Sequence, residues 1–257
     1  MIPLASRVWR VLVTGFSFAL FGFGGMLFAL IVVPVLSHLP GEPRVREFRC
    51  QYAVHRAFKW FVRVMEFLGL LTVEVRNAER LREPGQLVVA NHPTLLDVVF
   101  LVSELPQADC VVKQAVMANP FMRSAVAFSG YFANDPGDAL VEACAGRLAE
   151  NRTLLLFPEG TRTDDGQLGE FRRGAAHVAL RSGRPLRPVV IHCHPPSLMR
   201  GQRWYQVADR KLRIVLECCE TVAPEEMPAG SGRGAAARRL SSRLRDFYAK
   251  RLQNLDS

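Results

Sequence analysis

Between Val11 and Leu36 the chain runs twenty-six residues without a charged side chain. As one helix that stretch reaches roughly 39 Å, against roughly 30 Å of hydrocarbon in a bilayer, so it is long enough to span. It is too long for a secretory leader, and no small-residue cleavage pattern follows it. Gly22, Gly24 and Gly25 cluster near its middle and leave a second arrangement open, two half-helices dipping into one leaflet. Arg7 and Arg10 precede the stretch and Arg44, Arg46 and Arg49 follow it. The larger cluster predicts that the following chain lies in the cytoplasm, and a re-entrant anchor would put both ends there.

Beyond the anchor the hydrophobic pattern changes. From Arg49 to Leu71 apolar and basic residues interleave, with Phe58, Phe61, Val62, Met65 and Leu68 on or near one helical stripe. That helix would either lie on the bilayer or pack on a core. Strand-like runs follow at Thr72 to Arg76, Leu87 to Ala90, Asp109 to Lys113, Tyr131 to Ala133, Thr153 to Phe157, Arg187 to His192 and Lys211 to Cys218. Helical stretches separate them, most clearly Leu95 to Leu105, Ala139 to Leu148 and Ala175 to Leu180. Alternation of this kind predicts an α/β fold. The reading is a helical membrane-anchoring region over 1–71 and an α/β domain over 72–257, with a mixed, mostly parallel sheet flanked by helices. The only linker-like stretch is Ala223 to Gly234. After it, Leu240, Leu244 and Phe247 at helical spacing, among Arg233, Arg238, Arg239, Arg243, Arg245, Lys250 and Arg251, predict a basic amphipathic helix. It would either dock by its leucines or meet an anionic partner.

Two blocks carry the chemistry. Asn91-His-Pro-Thr-Leu-Leu-Asp97 follows the run Leu87 to Ala90. An unperturbed imidazole titrates near pH ~6.5, so a histidine in the position of His92 can take a proton from an alcohol. Asp97 can accept from one ring nitrogen and leave the other facing substrate. On a continuous helix the two side chains would point roughly 140° apart, so their pairing requires a bend, with which Pro93 is compatible. The second block, Phe157-Pro-Glu-Gly-Thr-Arg162, follows another apolar run, and Pro158 and Gly160 predict an irregular turn with close backbone approach. Arg162 offers a planar fork of donors suited to phosphate, and Glu159 can hold that guanidinium or a substrate hydroxyl. A polar loop, 163–166, closes the block.

Together these blocks resemble the glycerolipid acyltransferases, whose best known members are the 1-acylglycerol-3-phosphate (lysophosphatidate) acyltransferases. The resemblance implies that His92 deprotonates the acceptor hydroxyl, that Asp97 orients His92, and that Glu159, Gly160, Thr161 and Arg162 help bind the acceptor's phosphate. Direct attack on a thioester needs no acyl-enzyme and no metal or redox cofactor; the co-substrate would be acyl-CoA or an acyl carrier protein thioester. Val111-Val-Lys113 with Asn119-Pro-Phe121, Phe171-Arg-Arg-Gly174 and Pro188-Val-Val-Ile191 resemble further family segments. One segment departs: Gly130-Tyr-Phe-Ala-Asn-Asp-Pro136 has Asp135 or Pro136 where many members carry a phosphate-binding arginine. Arg172 or Arg173 would then substitute, unless they form a solvated face, and Lys113 reads as structural. The departure keeps open a non-phosphate acceptor, such as a lyso-aminolipid or polyene-bearing lipid. A silent lipid-binding scaffold is the rival outside the enzymes.

Composition bounds the partners. The net charge of +9 favours an anionic one. No recognition motif or stacking array argues for nucleic acid, whereas membrane lipid headgroups and an acidic carrier protein fit. Six cysteines, with Cys218 and Cys219 adjacent and no Cys-x-x-Cys, predict reduced thiols and a cytoplasmic face of a bacterial-type inner membrane. His192-Cys-His194 has zinc-ligand chemistry, but strand alternation would turn Cys193 away from both histidines. His38, His55 and His177 have no companions at ligand spacing, so no metal site is expected.

Overall fold

The computed structural model describes residues 4–119, 122–135, 137–163, 168–224 and 232–256. The N-terminal helix α1 (Leu4–Leu27) passes into a π-helical turn (Phe28–Val32) and then α2 (Val33–His38) without leaving helical backbone. The glycine cluster therefore does not break this apolar run into two half-helices. The irregularity falls later, where the Val33 N–H reaches back to the Phe28 carbonyl. Pro34 accounts for it: with no N–H to give Leu30, and a ring that crowds that carbonyl, the ladder widens by one residue in the preceding turn. The run Ser6–His38 is 33 residues long, reaches a mean hydropathy of 2.4 and is 6% buried over its most apolar stretch, so among the described residues it is the one helix able to cross a bilayer by length and composition.

Helix α3 (Pro43–Phe67) opens on Pro43, whose fixed φ suits the first turn, and so begins earlier than the residue pattern predicts. It buries Val54, Phe61, Val62 and Met65 against the domain core, with Phe58 partly buried, which decides for packing on the core. Its outer face leaves Trp60 and Phe67 exposed. Near its start Glu47 accepts from Arg147 (3.0 Å) and Arg152 (2.7 Å), while Arg152 and Gln51 both donate to buried Asp109. Breaking such a buried, mutually satisfied network is costly, so it pins α3 to the sheet.

The rest alternates: β1 (Leu71–Arg76), a 3-10 turn (Ala78–Arg82), β2 (Leu87–Ala90), α4 (Asp97–Glu104), β3 (Asp109–Val112), α5 (Gln114–Ala118), α6 (Arg123–Phe128), β4 (Phe132–Ala133), α7 (Asp138–Ala149), β5 (Leu154–Leu156), α8 (Gly174–Ser182), β6 (Leu186–His194), β7 (Leu212–Cys218) and α9 (Arg233–Asp256). The strands form one seven-stranded sheet in the order β1-β7-β6-β2-β5-β3-β4. Every pairing is parallel except β6 with β7. A parallel sheet is covered on both faces, and β2 is buried at all four positions accordingly. Val88 and Ala90 face the layer of α3 and α4, while Leu87 and Val89 face α7, α8 and α9. Helix α9 docks by Leu240, Leu244 and Tyr248, whose hydroxyl donates to the Val89 carbonyl, and turns Arg238 and Arg239 to solvent.

Several expected boundaries shift. Strand β6 extends to His194, and the rings of His192 and His194 stack 6.2 Å apart while Cys193 is buried in the opposite layer. Of the linker Ala223 to Gly234, residues 225–231 lie outside the described residues, and Gly234 is already helical. Pro120, Phe121, Pro136 and residues 164–166 of the expected polar loop also lie outside them.

Candidate functional site

The two sequence blocks meet at the carboxyl ends of the neighbouring parallel strands β2 and β5. Asn91 follows β2 and locks its position: its side-chain amide donates to the Ile191 carbonyl (2.8 Å) and accepts from the Ile191 N–H (2.7 Å) on β6. The chain then bends through residues 91–96 before α4 starts at Asp97. The bend supplies what a straight helix denies, and His92 Nδ1 lies 2.7 Å from Asp97 Oδ2.

Asp97 is fully buried. Thr94 donates its backbone N–H to Oδ2 (2.7 Å) and its hydroxyl to Oδ1 (2.6 Å). Burial pushes the Asp97 carboxyl up from its ordinary range, against the opposing pull of His92 and Thr94. With donors on both its oxygens, the carboxylate accepts from His92 Nδ1–H, which leaves Nε2 as the ring's acceptor. The imidazole is 16% exposed and rests on the Phe157 ring, centroids 4.5 Å apart. Thr94, unremarked in the sequence, is the second support of the pair; its signal was a hydroxyl three residues before a carboxylate, a spacing suited to local turns.

Glu159 has a different part from the one its sequence suggests. Its Oε1 accepts the His92 backbone N–H (2.8 Å), and its Oε2 accepts the Thr163 hydroxyl and the Gly169 N–H (3.1 Å each). Buried and fully engaged, it does not hold Arg162. That guanidinium donates instead to the carbonyls of Leu198 (3.3 Å) and Met199 (3.4 Å). Glu159 thus ties the second block to the first, and the Thr163 N–H adds a bond to the His92 carbonyl (2.8 Å).

The turn at Pro158–Gly160 closes with the Gly160 N–H on the Phe157 carbonyl. Gly160 has φ +66°, and a Cβ there would lie 2.9 Å from Arg172 Nε, so glycine permits both the turn and the packing of Arg172 across it. Lys113, at the end of β3, donates to the Thr161 hydroxyl (3.3 Å). Its pKa is lowered, first by burial and then by the positive charges of Arg162, Arg200 and Arg172. Lys113, Arg162 and Arg172 together form a cationic rim bordering the opening beside His92. Arg173 also borders the cavity, exposed at the start of α8.

That opening leads into a cavity of about 1110 Å³. One part runs between α1 and the core along Phe18, Phe21, Phe28 and Phe58; another passes Asn134, Cys144 and His177. Asn134, next to the unexpected Asp135, lines the wall where the missing arginine would be expected. The cysteines are buried and unpaired, and burial pushes the Cys110, Cys144, Cys193 and Cys218 thiols up to about 12, so none is a ready thiolate nucleophile.

Residues 72–192, which contain His92, Asp97 and the whole second block, match the family model Acyltransferase. The chain carries an acyltransferase-family domain. The chain is 31% identical over 140 residues to 1-acyl-sn-glycerol-3-phosphate acyltransferase beta of Homo sapiens, covering 51% of this chain and 50% of that protein. It is 30% identical over 132 residues to the 1-acyl-sn-glycerol-3-phosphate acyltransferase of Helicobacter pylori, covering 49% and 56%. The chain thus spans about half the length of these relatives. In three dimensions it resembles the crystal structure of the 1-acyl-sn-glycerophosphate (LPA) acyltransferase PlsC from Thermotoga maritima, with a TM-score of 0.74 over 98% of each chain at 18% identity. That likeness extends the shared fold beyond the acyltransferase-family domain to the N-terminal helices.

Proposed function

We propose that the protein is a membrane-anchored O-acyltransferase that moves an acyl chain from a thioester to the free hydroxyl of 1-acylglycerol 3-phosphate, giving phosphatidate for phospholipid synthesis. One observation carries the reading. The His92–Asp97 pair stands where a cationic rim meets a long apolar cavity, an arrangement suited to a phosphate at one end and an acyl chain at the other. The names of the relatives support the acceptor.

In this reaction His92 Nε2 takes the proton of the acceptor hydroxyl as its oxygen attacks the thioester carbonyl. Asp97 stabilises the imidazolium through Nδ1. The tetrahedral intermediate collapses, the C–S bond breaks, and His92 returns the proton to the leaving thiolate. Lys113, Arg162 and Arg172 hold the phosphate, with Arg173 at the margin and Gly160 and Thr161 shaping the turn. Glu159 is a positioning residue for His92. The thioester is acyl-CoA or acyl carrier protein, and the reaction calls on no metal or redox cofactor. In this reading helix α1 sits in the bilayer, and the larger basic cluster after it supports a cytoplasmic side for the domain.

A second reading follows from Asn134, Asp135 and Pro136: with no arginine at those sequence positions, the acceptor would be a lysolipid without phosphate. Detergent-purified protein and its His92→Ala variant, given both donor types with lysophosphatidate and phosphate-free lysolipids, decide by mass spectrometry of the products. Phosphatidate formed by the parent and lost in the variant supports the main reading. Acylation of phosphate-free acceptors alone would replace the substrate, and no transfer with any pair would favour a silent lipid-binding role.

A further inference from the structure

The connection between β6 and β7, residues 195–211, projects from the sheet beside the anchor helix. It carries Arg200, Arg203, Arg210 and Lys211 against the single acid Asp209. At its tip two large aromatic rings reach the surface, Trp204 48% and Tyr205 43% exposed. Trp204 does not point into open solvent: its ring lies on α1 so closely that a Cβ added at Gly15 would be 3.1 Å from Cζ3.

The position of Gly15 gives that contact its meaning. On a helix of 3.6 residues per turn, Gly15 falls between two faces of α1. One carries Thr14, Phe18 and Phe21, which line the cavity. The other carries Val8, Leu12, Phe16 and Phe23, all exposed. Trp204 therefore sits at the seam between the outward apolar stripe and the cavity. Beside it Arg203 donates to the Tyr205 hydroxyl (2.5 Å), its guanidinium 5.8 Å from the ring centroid. Amphipathic aromatic rings with neighbouring arginines are the side chains that settle at headgroup level, and surplus positive charge favours an anionic leaflet.

We propose that this loop is a second membrane contact, with Trp204 and Tyr205 among the headgroups of the bilayer that holds α1 and the arginines on lipid phosphates. The loop is also stapled to the site, because the Leu198 carbonyl accepts both the Leu95 N–H (3.1 Å) and Arg162 Nη1. It sets the mouth of the cavity at the depth where a lysolipid's headgroup and its free hydroxyl lie. The inference rests on the reading of α1 as the anchor, and the native tryptophans separate the two.

The full chain is reconstituted in phosphatidylcholine–phosphatidylglycerol vesicles carrying a spin label either at the headgroup or at mid-chain. One variant keeps Trp204 alone (Trp9→Phe, Trp60→Phe), and the other keeps Trp9 alone (Trp60→Phe, Trp204→Phe). Phe retains aromatic bulk at positions 9 and 60, both of which are exposed. The expected result is that Trp204 emission is quenched more by the headgroup label than by the mid-chain label and is shielded from aqueous iodide relative to the unfolded chain. Trp204 quenched by iodide and untouched by either label, while Trp9 responds to lipid, would overturn the loop contact and leave the anchor standing. Loss of lipid quenching at both positions would overturn both.

Discussion

His92 Nδ1 and Asp97 Oδ2 are 2.7 Å apart across a bend that two hydrogen bonds from Thr94 hold in place. The pair works only if the carboxylate accepts and the ring donates. Asp97→Asn can present an N–H to Nδ1, which would favour the tautomer whose Nε2 is already protonated. Removing general-base assistance costs about 10²–10⁴ in rate. The expectation is a fall of that order in kcat with little change in KM for the acceptor, measured by steady-state kinetics beside a thermal melt that shows the variant folded.

Glu159 satisfies the N–H groups of His92 and Gly169 and the hydroxyl of Thr163. Glu159→Ala leaves these donors without their acceptor, and each unsatisfied buried group costs about 1–3 kcal/mol. We expect a loss of about 2–4 kcal/mol in denaturant unfolding, allowing for partial relaxation. Glu159→Gln, which keeps one acceptor oxygen, should recover part of both stability and activity. Equal losses in the two variants would mean that the charge itself, not the bonding, is what matters.

Lys113 is held below an ordinary lysine by burial and by three neighbouring guanidinium groups. Because the folded value is lower than the unfolded one, the charge costs stability below the folded pKa, and that cost disappears as pH rises through it. An anion loses its partner over the same interval. The KM for a phosphate acceptor should therefore rise with pH before the ~10.4 of a free lysine is reached. A charge-assisted hydrogen bond is worth about 1.5–3 kcal/mol. Lys113→Met should accordingly raise KM at neutral pH by at least about tenfold. Its Tm should stay level or increase; a lower Tm with unchanged KM would return Lys113 to the scaffold.

Gly160→Ala places a methyl group at φ +66° against Arg172. A left-handed conformation costs an L-residue about 1–2 kcal/mol. The variant should lose about that much stability and also bind the phosphate acceptor more weakly, because Arg172 must move. Calorimetry and acceptor titration test the two effects separately.

The sequence made the alternating layers, the long apolar N-terminal helix and the His92–Asp97 pairing legible, because hydrophobic period and residue chemistry are local signals. What stayed hidden depends on contacts between distant segments. Glu159 reads as a carboxylate that holds Arg162 or a substrate hydroxyl, and only the approach of β5 to β2 makes it the acceptor for His92 N–H. Lys113 looks like a strand-end lysine until β3 lies beside β5 and brings it to Thr161. The loop after β6 carries no motif, yet it supplies the carbonyls that receive Arg162. In the N-terminal apolar helix, the glycines were the visible breaker signal, while the actual change of helix follows from the backbone geometry before Pro34.

The most direct test compares kcat/KM for lysophosphatidate with that for the monoacylglycerol of the same chain, using one donor and both the parent and Lys113→Met proteins. The account predicts a strong preference for lysophosphatidate in the parent, reduced at least about tenfold in the variant through KM. Equal values for the two acceptors in the parent would contradict it, leaving the His92 chemistry without the phosphate that the cationic rim is proposed to hold.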